Sequence, residues 1–192
     1  MPNKIVFICG SPGAGKSTIL GMLSKQKKKY RVLNVGTLMT DLATKKGIVK
    51  DRDDLRFLPG PTLSGIQAKV FDKISAMNGT IILDTHATVE QNGRYLPGIS
   101  IENVKHLHRL VGFAYIDSLT SDIEKRRKSD RTRRRENERP ELIDVQRLIN
   151  VSILSTCATY LNLPLFVVFN EQGKLNQSVK MLRTHLEKLY GA

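Results

Sequence analysis

The sequence predicts an α/β fold in which a five-stranded parallel sheet carries helices on both faces. Two observations lead to this prediction. Short apolar runs alternate along the chain with longer segments of helical character, which is the pattern of parallel strands joined by crossover helices. A glycine-rich segment at 10–18 directly follows the first apolar run, and in that position it joins the first strand to the first helix of such a domain. The length of 192 residues suits one domain.

Five segments have the composition of strands, and the first and third are expected to be buried. The first, at residues 4–9, is continuously apolar rather than alternating, as in strands that are covered on both faces. The other strands are expected at 31–35, 80–83, 110–116 and 165–169.

Helices are predicted between these strands. The last helix has apolar residues at alternating spacings of four and three, which form one face. Thr62 and Thr120 are expected to cap the helices that they begin, and residues 87–100, which contain glycine and proline, are expected to form a loop. The predicted helices are 16–29, 38–46, 62–77, 101–108, a helix from 120 into a basic segment, 141–160 and a C-terminal helix through Leu175 and Leu189.

Composition excludes several classes of protein. No apolar stretch approaches the roughly 18 residues that span a bilayer, and the N-terminus leads straight into the first strand without a signal segment, so we expect a cytoplasmic protein without a membrane partner. Cys9 and Cys157 lie in apolar surroundings and are expected to be buried thiols. The four histidines lack zinc-ligand spacing.

The segment at 10–18 has the form G-x-x-x-x-G-K-[ST]. Backbone N–H groups of such a loop wrap the phosphates of a nucleoside triphosphate, the lysine adds a positive charge, and the serine hydroxyl can ligate Mg²⁺. Chance would give this pattern in roughly one chain in a hundred of this length. The predicted phosphate-binding residues are Gly10, Ser11, Pro12, Gly13, Ala14, Gly15, Lys16, Ser17 and Thr18.

Residues that follow the strands are the next candidates, because ligands bind beyond the carboxyl ends of parallel strands. Asp84 ends the third apolar run, where an acidic residue holds Mg²⁺ directly or through water in phosphate-loop enzymes. A helix cap or a surface acid is the alternative interpretation of Asp84. Gly36, Thr37 and Asp117 occupy corresponding positions after other strands.

Almost half of the net charge of +13 lies in one segment. Residues 125–139 contain nine Lys/Arg and three Asp/Glu residues, a net charge of +6. We predict a flap whose arginines, Arg126, Arg133 and Arg135, close over the triphosphate and exclude water. A nucleic-acid surface is one alternative, although no aromatic residues interleave the charges, and a solvated helix face is another.

Arg52 and Arg56 are four residues apart and share one face if their segment is helical. Together with Thr37 they could hold the phosphate of a second substrate. The alternative is that both arginines pair with neighbouring aspartates on a surface helix.

Six segments resemble those of the archaeal-type adenylate kinases in their sequence, order and spacing. The D-T-H-A-T-V segment at 84–89 and the G-R-Y-L-P-G segment at 93–98 are the specific ones, and the D-G-[FYI]-P-R signature of bacterial and eukaryotic adenylate kinases is absent. The similarity covers about residues 4–170. The segments are 10–18, 34–39, 51–56, 84–89, 93–98 and 132–135.

The resemblance implies a P-loop NTPase three-layer fold and reversible, Mg²⁺-dependent transfer from ATP to AMP, giving two ADP. It also implies an AMP-binding region at about 37–77, a short lid at about 126–139, and a homotrimer. Thr37, Arg52 and Arg56 match the AMP side, and a contact from His86 to AMP is a further expectation. The stretch at 56–61 departs from the family pattern, so a kinase for another nucleoside monophosphate remains an alternative, as does an RNA-associated P-loop ATPase.

Overall fold

A computed structural model describes residues 4–25, 30–91, 93–129 and 139–191. The strands and helices follow in chain order with short connections. They are β1 (Ile5–Gly10), α1 (Lys16–Ser24), β2 (Arg31–Asn34), α2 (Val35–Lys45), a 3-10 helix (Asp53–Phe57), α3 (Gly60–Ser75), β3 (Ile81–Asp84), β4 (Thr88–Gln91), β5 (Arg94–Pro97), α4 (Ile101–Val104), β6 (Leu110–Asp117), α5 (Thr120–Ser129), α6 (Pro140–Leu161), β7 (Leu165–Phe169) and α7 (Leu175–Tyr190).

The predicted five-stranded parallel sheet is confirmed. Its strand order is β2-β3-β1-β6-β7, and all four pairings are parallel. The central strand β1 is buried along its whole length, which explains its continuous apolar sequence.

Two apolar layers cover the two faces of the sheet. Successive side chains of a strand point to opposite faces, and accordingly Phe7 belongs to a core with α2, α3, α4 and α6, whereas Ile8 belongs to a core with α1 and α7. Phe7 stacks on Phe113 at 5.8 Å between ring centroids and meets Phe71 edge-on at 5.6 Å. The helices on both faces therefore fix the central strand from either side.

The expected loop at 87–100 was wrong. Strands β4 and β5 form an antiparallel hairpin with Thr88 opposite Pro97. Each strand has only four residues, so the alternating pattern that marks a half-buried strand is too short to recognise. Gly98 lies so close to the hairpin's entry that a Cβ there would be 2.2 Å from the carbonyl oxygen of His86.

Both predicted threonine caps were also wrong. Helix α3 begins at Gly60, with Pro61 in its first turn, so Thr62 is already inside the helix. Helix α5 begins at Thr120, and the Thr120 hydroxyl donates to Asp144 Oδ1 at 2.7 Å. The helix expected at 101–108 is the single turn α4.

Among the described residues, no helix is long and apolar enough to cross a membrane. Cys9 and Cys157 are both buried free thiols, as expected. Most of the predicted lid, residues 130–138, lies outside the described residues, and the division of the chain into domains stays a prediction.

Candidate active site

The phosphate-binding loop connects β1 to α1 through two glycines in the left-handed region of backbone conformation. Gly13 has a φ of 90° and Gly15 a φ of 86°, which residues with a Cβ rarely adopt. Gly15 is also the N-cap of α1. The loop thus delivers its backbone to the amino end of a nine-residue helix, where the N–H groups and the helix dipole favour an anion.

Three consecutive carbonyl groups of the loop are held from outside by side chains of other elements. Asn170 Nδ2 donates to the Ala14 oxygen at 2.8 Å, Arg127 Nε donates to the Pro12 oxygen at 2.8 Å, and Arg126 Nη1 lies 3.4 Å from the Gly13 oxygen. Because the carbonyl side is occupied in this way, the amide side of the loop is the side that suits a phosphate.

Lys16 and Asp84 meet where β1 and β3 end. The Lys16 ammonium forms an ion pair with Asp84 Oδ1, and the two side chains are 8% and 14% exposed. The second carboxylate oxygen of Asp84 accepts a 2.9 Å hydrogen bond from Asn34 Nδ2. The predicted phosphate-binding lysine and the predicted metal-side acid are therefore brought together.

Oxygen ligands for a magnesium ion are present beside the loop. Ser17 is exposed on the first turn of α1, and Asp84 supplies a carboxylate at the neighbouring strand end. Mg²⁺ prefers hard oxygen donors and usually takes only one or two from the protein, with phosphate oxygens and water completing its shell. The described residues contain no cluster of three or more His, Cys, Asp or Glu side chains that could hold a metal ion.

A cavity of about 660 Å³ opens next to the loop. Its walls include Arg52, Arg56 and His86, and Pro12 of the phosphate-binding loop forms part of the same wall. Apolar side chains line it as well: Met39, Leu55, Leu63, Val89 and Leu96. The size suits a nucleotide-sized molecule, and the walls combine apolar side chains with charged ones of both signs.

The Arg52 guanidinium lies against the backbone of Gly36. A Cβ at residue 36 would be 2.6 Å from Arg52 Nη2, so the absence of a side chain at Gly36 makes room for the guanidinium. Arg56 makes an exposed pair with Asp53 at 3.4 Å. This pairing is the surface role that was the alternative interpretation, and it is found for Arg56, which also lines the cavity.

Thr37 lies at the start of α2 and does not line the cavity. Its backbone N–H and its hydroxyl both donate to Asn34 Oδ1, at 2.9 and 3.1 Å. Asn34 is thus the N-cap of α2, and the role of Thr37 toward a substrate stays a prediction.

Of the three arginines predicted for the flap, the structure describes only Arg126. Arg126 Nη2 donates to the backbone oxygen of Asn170 at 2.9 Å, and Nη1 lies 3.2 Å from Ser118 Oγ. These contacts place this arginine beside the phosphate-binding loop. Arg133 and Arg135 lie outside the described residues, so their roles stay predictions.

Asp117 has a structural contact at the end of β6. It is buried and forms an ion pair with Arg147 of α6, with Nε and Oδ2 2.8 Å apart. Burial raises the pKa of Asp117 above its ordinary value, although the Arg147 guanidinium opposes this rise. The carboxylate therefore ties the sheet to α6.

Sequence reasoning missed Asn34 and Asn170. Asn34 is the last residue of β2, and Asn170 comes directly after β7. The rule that pointed to Asp84, the search beyond the carboxyl ends of strands, also covers both asparagines. Arg127 was missed because nothing in its sequence distinguishes it from its basic neighbours.

The parallel sheet and the phosphate-binding loop together define a P-loop kinase domain. The solved structure of shikimate kinase from Acinetobacter baumannii has the same fold, with a TM-score of 0.60 at 15% identity over 97% of this chain and 94% of that chain. A family model described as an AAA domain matches residues 9–144.

Curated relatives share most of their length with this chain. Adenylate kinase of Pyrococcus abyssi is 36% identical over 182 residues, covering 93% of this chain and 92% of that protein. Adenylate kinase of Methanothermobacter thermautotrophicus is 30% identical over 186 residues, covering 96% and 100%. The chain belongs to this adenylate kinase family.

Proposed function

We propose that this protein catalyses the reversible transfer of the γ-phosphoryl group of ATP to AMP, giving two ADP, with Mg²⁺ as cofactor. Its relatives with adenylate kinase names match it over nearly the whole chain. The arrangement of two neighbouring sites supports the same reaction, because a transfer between two nucleotides needs both bound in contact.

The observation that carries the proposal is that one cavity is lined by both Pro12 and the Arg52–Arg56 pair of arginines. A phosphate held by these arginines on one side would face a triphosphate held by the loop on the other. Arginine suits the acceptor phosphate because its planar guanidinium can pair with two phosphate oxygens.

The residues of the chain divide the work of the transfer. The acceptor phosphate is already anionic, so its oxygen attacks in line without a general base and without a covalent intermediate. Lys16 leaves its ion pair with Asp84 and binds the β- and γ-phosphates instead. Arg126 neutralises the negative charge that spreads over the transferred phosphoryl group. Ser17 and Asp84 would hold the magnesium ion. When bound, Mg²⁺ supplies charge neutralisation at the phosphates.

Exclusion of water is the role proposed for the lid at about 126–139, which includes Arg133 and Arg135. A closed lid keeps water from intercepting the phosphoryl group. Arg126 already contacts the carbonyl of Gly13, so the described end of this segment lies at the phosphate-binding loop.

A panel of acceptors tests the proposed function. Purified protein is incubated with ATP, Mg²⁺ and one of AMP, CMP, GMP or UMP, and ADP and the acceptor's diphosphate are separated by chromatography. We expect ADP formation to be fastest with AMP, and a reaction without acceptor gives the hydrolysis background. If another monophosphate reacts faster than AMP, that monophosphate is the preferred acceptor. If ATP is consumed at the same rate with and without each of the four monophosphates, the kinase proposal is overturned.

The homotrimer rests on the resemblance to the archaeal-type family. Size-exclusion chromatography with light scattering measures it directly. A mass close to three chains of 21.6 kDa would support the trimer, and the mass of one chain would overturn it.

A further inference from the structure

Four buried polar side chains form a hydrogen-bonded chain across the interior of the molecule. Ser11 Oγ of the phosphate-binding loop lies 2.6 Å from the Tyr115 hydroxyl, which lies 3.3 Å from Asn150 Nδ2. Asn150 Oδ1 in turn lies 2.6 Å from Thr88 Oγ1. All four residues are at most 3% exposed. These contacts link the phosphate-binding loop to the β4–β5 hairpin by way of β6 and α6.

The two ends of this chain belong to the two halves of the candidate active site. Ser11 lies in the loop proposed to bind the triphosphate. Thr88 begins β4 and lines the cavity proposed to bind the acceptor. The polar chain therefore connects the two binding regions through the protein interior.

The distances assign a direction to the hydrogen bonds. A separation of 2.6 Å is typical of O–H···O and 3.3 Å is long for it, so the Thr88 hydroxyl donates to Asn150 Oδ1 and the Asn150 amide donates to Tyr115. The Tyr115 side chain is fully buried, and its proton needs an acceptor, which Ser11 Oγ provides. Burial also raises the pKa of Tyr115, which keeps its hydroxyl protonated as a donor.

One consequence concerns the Ser11 hydroxyl. Since Ser11 Oγ accepts from Tyr115, its own proton is directed away from Tyr115. In this arrangement a change at Thr88 would reach Ser11 through Asn150 and Tyr115. Buried hydrogen-bonded networks respond as units, because each bond depends on the orientation of the next group.

We propose that Tyr115 and Asn150 are positioning residues that couple the β4–β5 hairpin, at the acceptor cavity, to Ser11 of the phosphate-binding loop. The role of the cavity as acceptor site rests on the proposed function. The coupling of hairpin to loop rests on the four side chains alone and can be measured without any acceptor.

The test is a double-mutant cycle on the binding of a non-hydrolysable ATP analogue, AMP-PNP, with Mg²⁺ by isothermal titration calorimetry. The variants are Tyr115→Phe, Thr88→Val and the double variant, each of which removes hydroxyl groups at nearly constant volume. We expect each single variant to weaken binding about fivefold, as for the loss of one hydrogen bond. The double variant is expected to weaken it by about the same factor rather than by the product, about 25-fold, because both changes break one chain.

Two further variants separate coupling from general destabilisation. Thr88→Ser keeps the hydroxyl and is expected to bind AMP-PNP as the wild type does. Tyr190→Phe removes a different tyrosine hydroxyl, which lies 3.4 Å from the Ile81 oxygen at the start of β3, at the edge of the sheet opposite the loop. Its affinity for AMP-PNP is expected to stay within about twofold of wild type.

Two outcomes would overturn the coupling. One is wild-type affinity for AMP-PNP in Thr88→Val, because the coupling requires that loss of the Thr88 hydroxyl reaches the loop through Asn150 and Tyr115. The other is a double variant whose loss equals the product of the single losses. Because no acceptor is present in the cycle, a wild-type protein that fails to convert AMP would refute the proposed function and leave this measurement fully interpretable.

Discussion

Lys16 of the phosphate-binding loop forms an ion pair with Asp84 at the end of β3, where both side chains are largely shielded from water. The pair joins a group proposed to bind phosphate to a group proposed to bind a cation. Each partner keeps the other from being an isolated charge in a poorly solvated place, and in the proposed reaction Mg²⁺ and a triphosphate would give each a new partner of opposite charge.

Replacement of Lys16 by methionine is expected to lower kcat for ADP formation by about 10²–10³-fold, because a donor that stabilises the transferred phosphate is lost. Steady-state assays measure the effect. The control is Lys174→Met, which breaks a surface ion pair with Glu171 and is expected to leave kcat within about twofold. Turnover in Lys16→Met similar to that of the control would remove Lys16 from the reaction.

Replacement of Asp84 by asparagine is expected to raise the Mg²⁺ concentration for half-maximal activity by about tenfold or more. The amide keeps the size of the side chain and loses the charge that attracts the cation. Titration of activity with Mg²⁺ at saturating nucleotide checks this. Asp41→Asn, at an exposed position of α2, should give the wild-type curve, and an unchanged curve for Asp84→Asn would assign the metal to other ligands.

The substitutions Gly15→Ala and Gly47→Ala distinguish the effect of backbone strain from the effect of a steric contact in the phosphate-binding loop. Both glycines have positive φ, and a Cβ there is expected to reduce the free energy of unfolding by about 1–2 kcal/mol. At Gly47 the added Cβ meets open space, whereas at Gly15 it would lie 2.3 Å from Asn170 Nδ2, which is held by the Ala14 oxygen.

Gly47→Ala is therefore expected to lose stability and keep its affinity for AMP-PNP. Gly15→Ala is expected to lose more stability and most of that affinity. Urea unfolding and calorimetry measure the two quantities. Equal affinities in the two variants would show that the geometry of the loop at Gly15 is not needed for binding.

Replacement of Arg52 by alanine is expected to raise KM for AMP by about 10–100-fold with a small effect on KM for ATP, because hydrogen bonds to a charged phosphate are lost. Gly36→Ala should shift KM for AMP in the same direction, since its Cβ would displace the Arg52 guanidinium. Arg94→Ala, an exposed arginine of β5 that does not line the cavity, is the control. A parallel rise in both KM values would place Arg52 outside an acceptor-specific site.

The thiol of Cys9 is expected to resist alkylation. Burial raises its pKa to about 12, so the reactive thiolate is scarce at pH 8. Treatment of the native protein with iodoacetamide at that pH, followed by mass spectrometry, should leave Cys9 unmodified, and the same treatment in urea should modify it. Rapid labelling of the native protein would show that the carboxyl end of β1 is accessible.

Local patterns were sufficient for the sheet and the loop. Five apolar runs marked the five parallel strands, most clearly β1, which is buried along its whole length and continuously apolar. The loop at 10–18 was recognisable because its chemistry needs particular residue types at fixed spacing. Asp84 was found because the carboxyl ends of parallel strands form one edge of the sheet.

Residues that act through distant partners were not predictable in this way. Asn34 looks like an ordinary strand end, yet it bonds to Asp84, 50 residues away, and caps α2. Asn170 contacts Ala14 over a separation of 156 residues. Thr37 carried the expectation of a substrate contact, and in the structure its polar groups bond to Asn34.

The sequence by itself determined the five strands of the parallel sheet, the phosphate-binding loop and the acidic residue that ends the third strand, because each is recognised from neighbours within a few residues. Only the tertiary structure decided that Pro12 and Arg52 line one cavity and that Ser11 reaches Thr88 through Tyr115 and Asn150. Those contacts depend on how strands far apart in the chain are placed side by side, and periodicity and spacing carry no information about such long-range pairing.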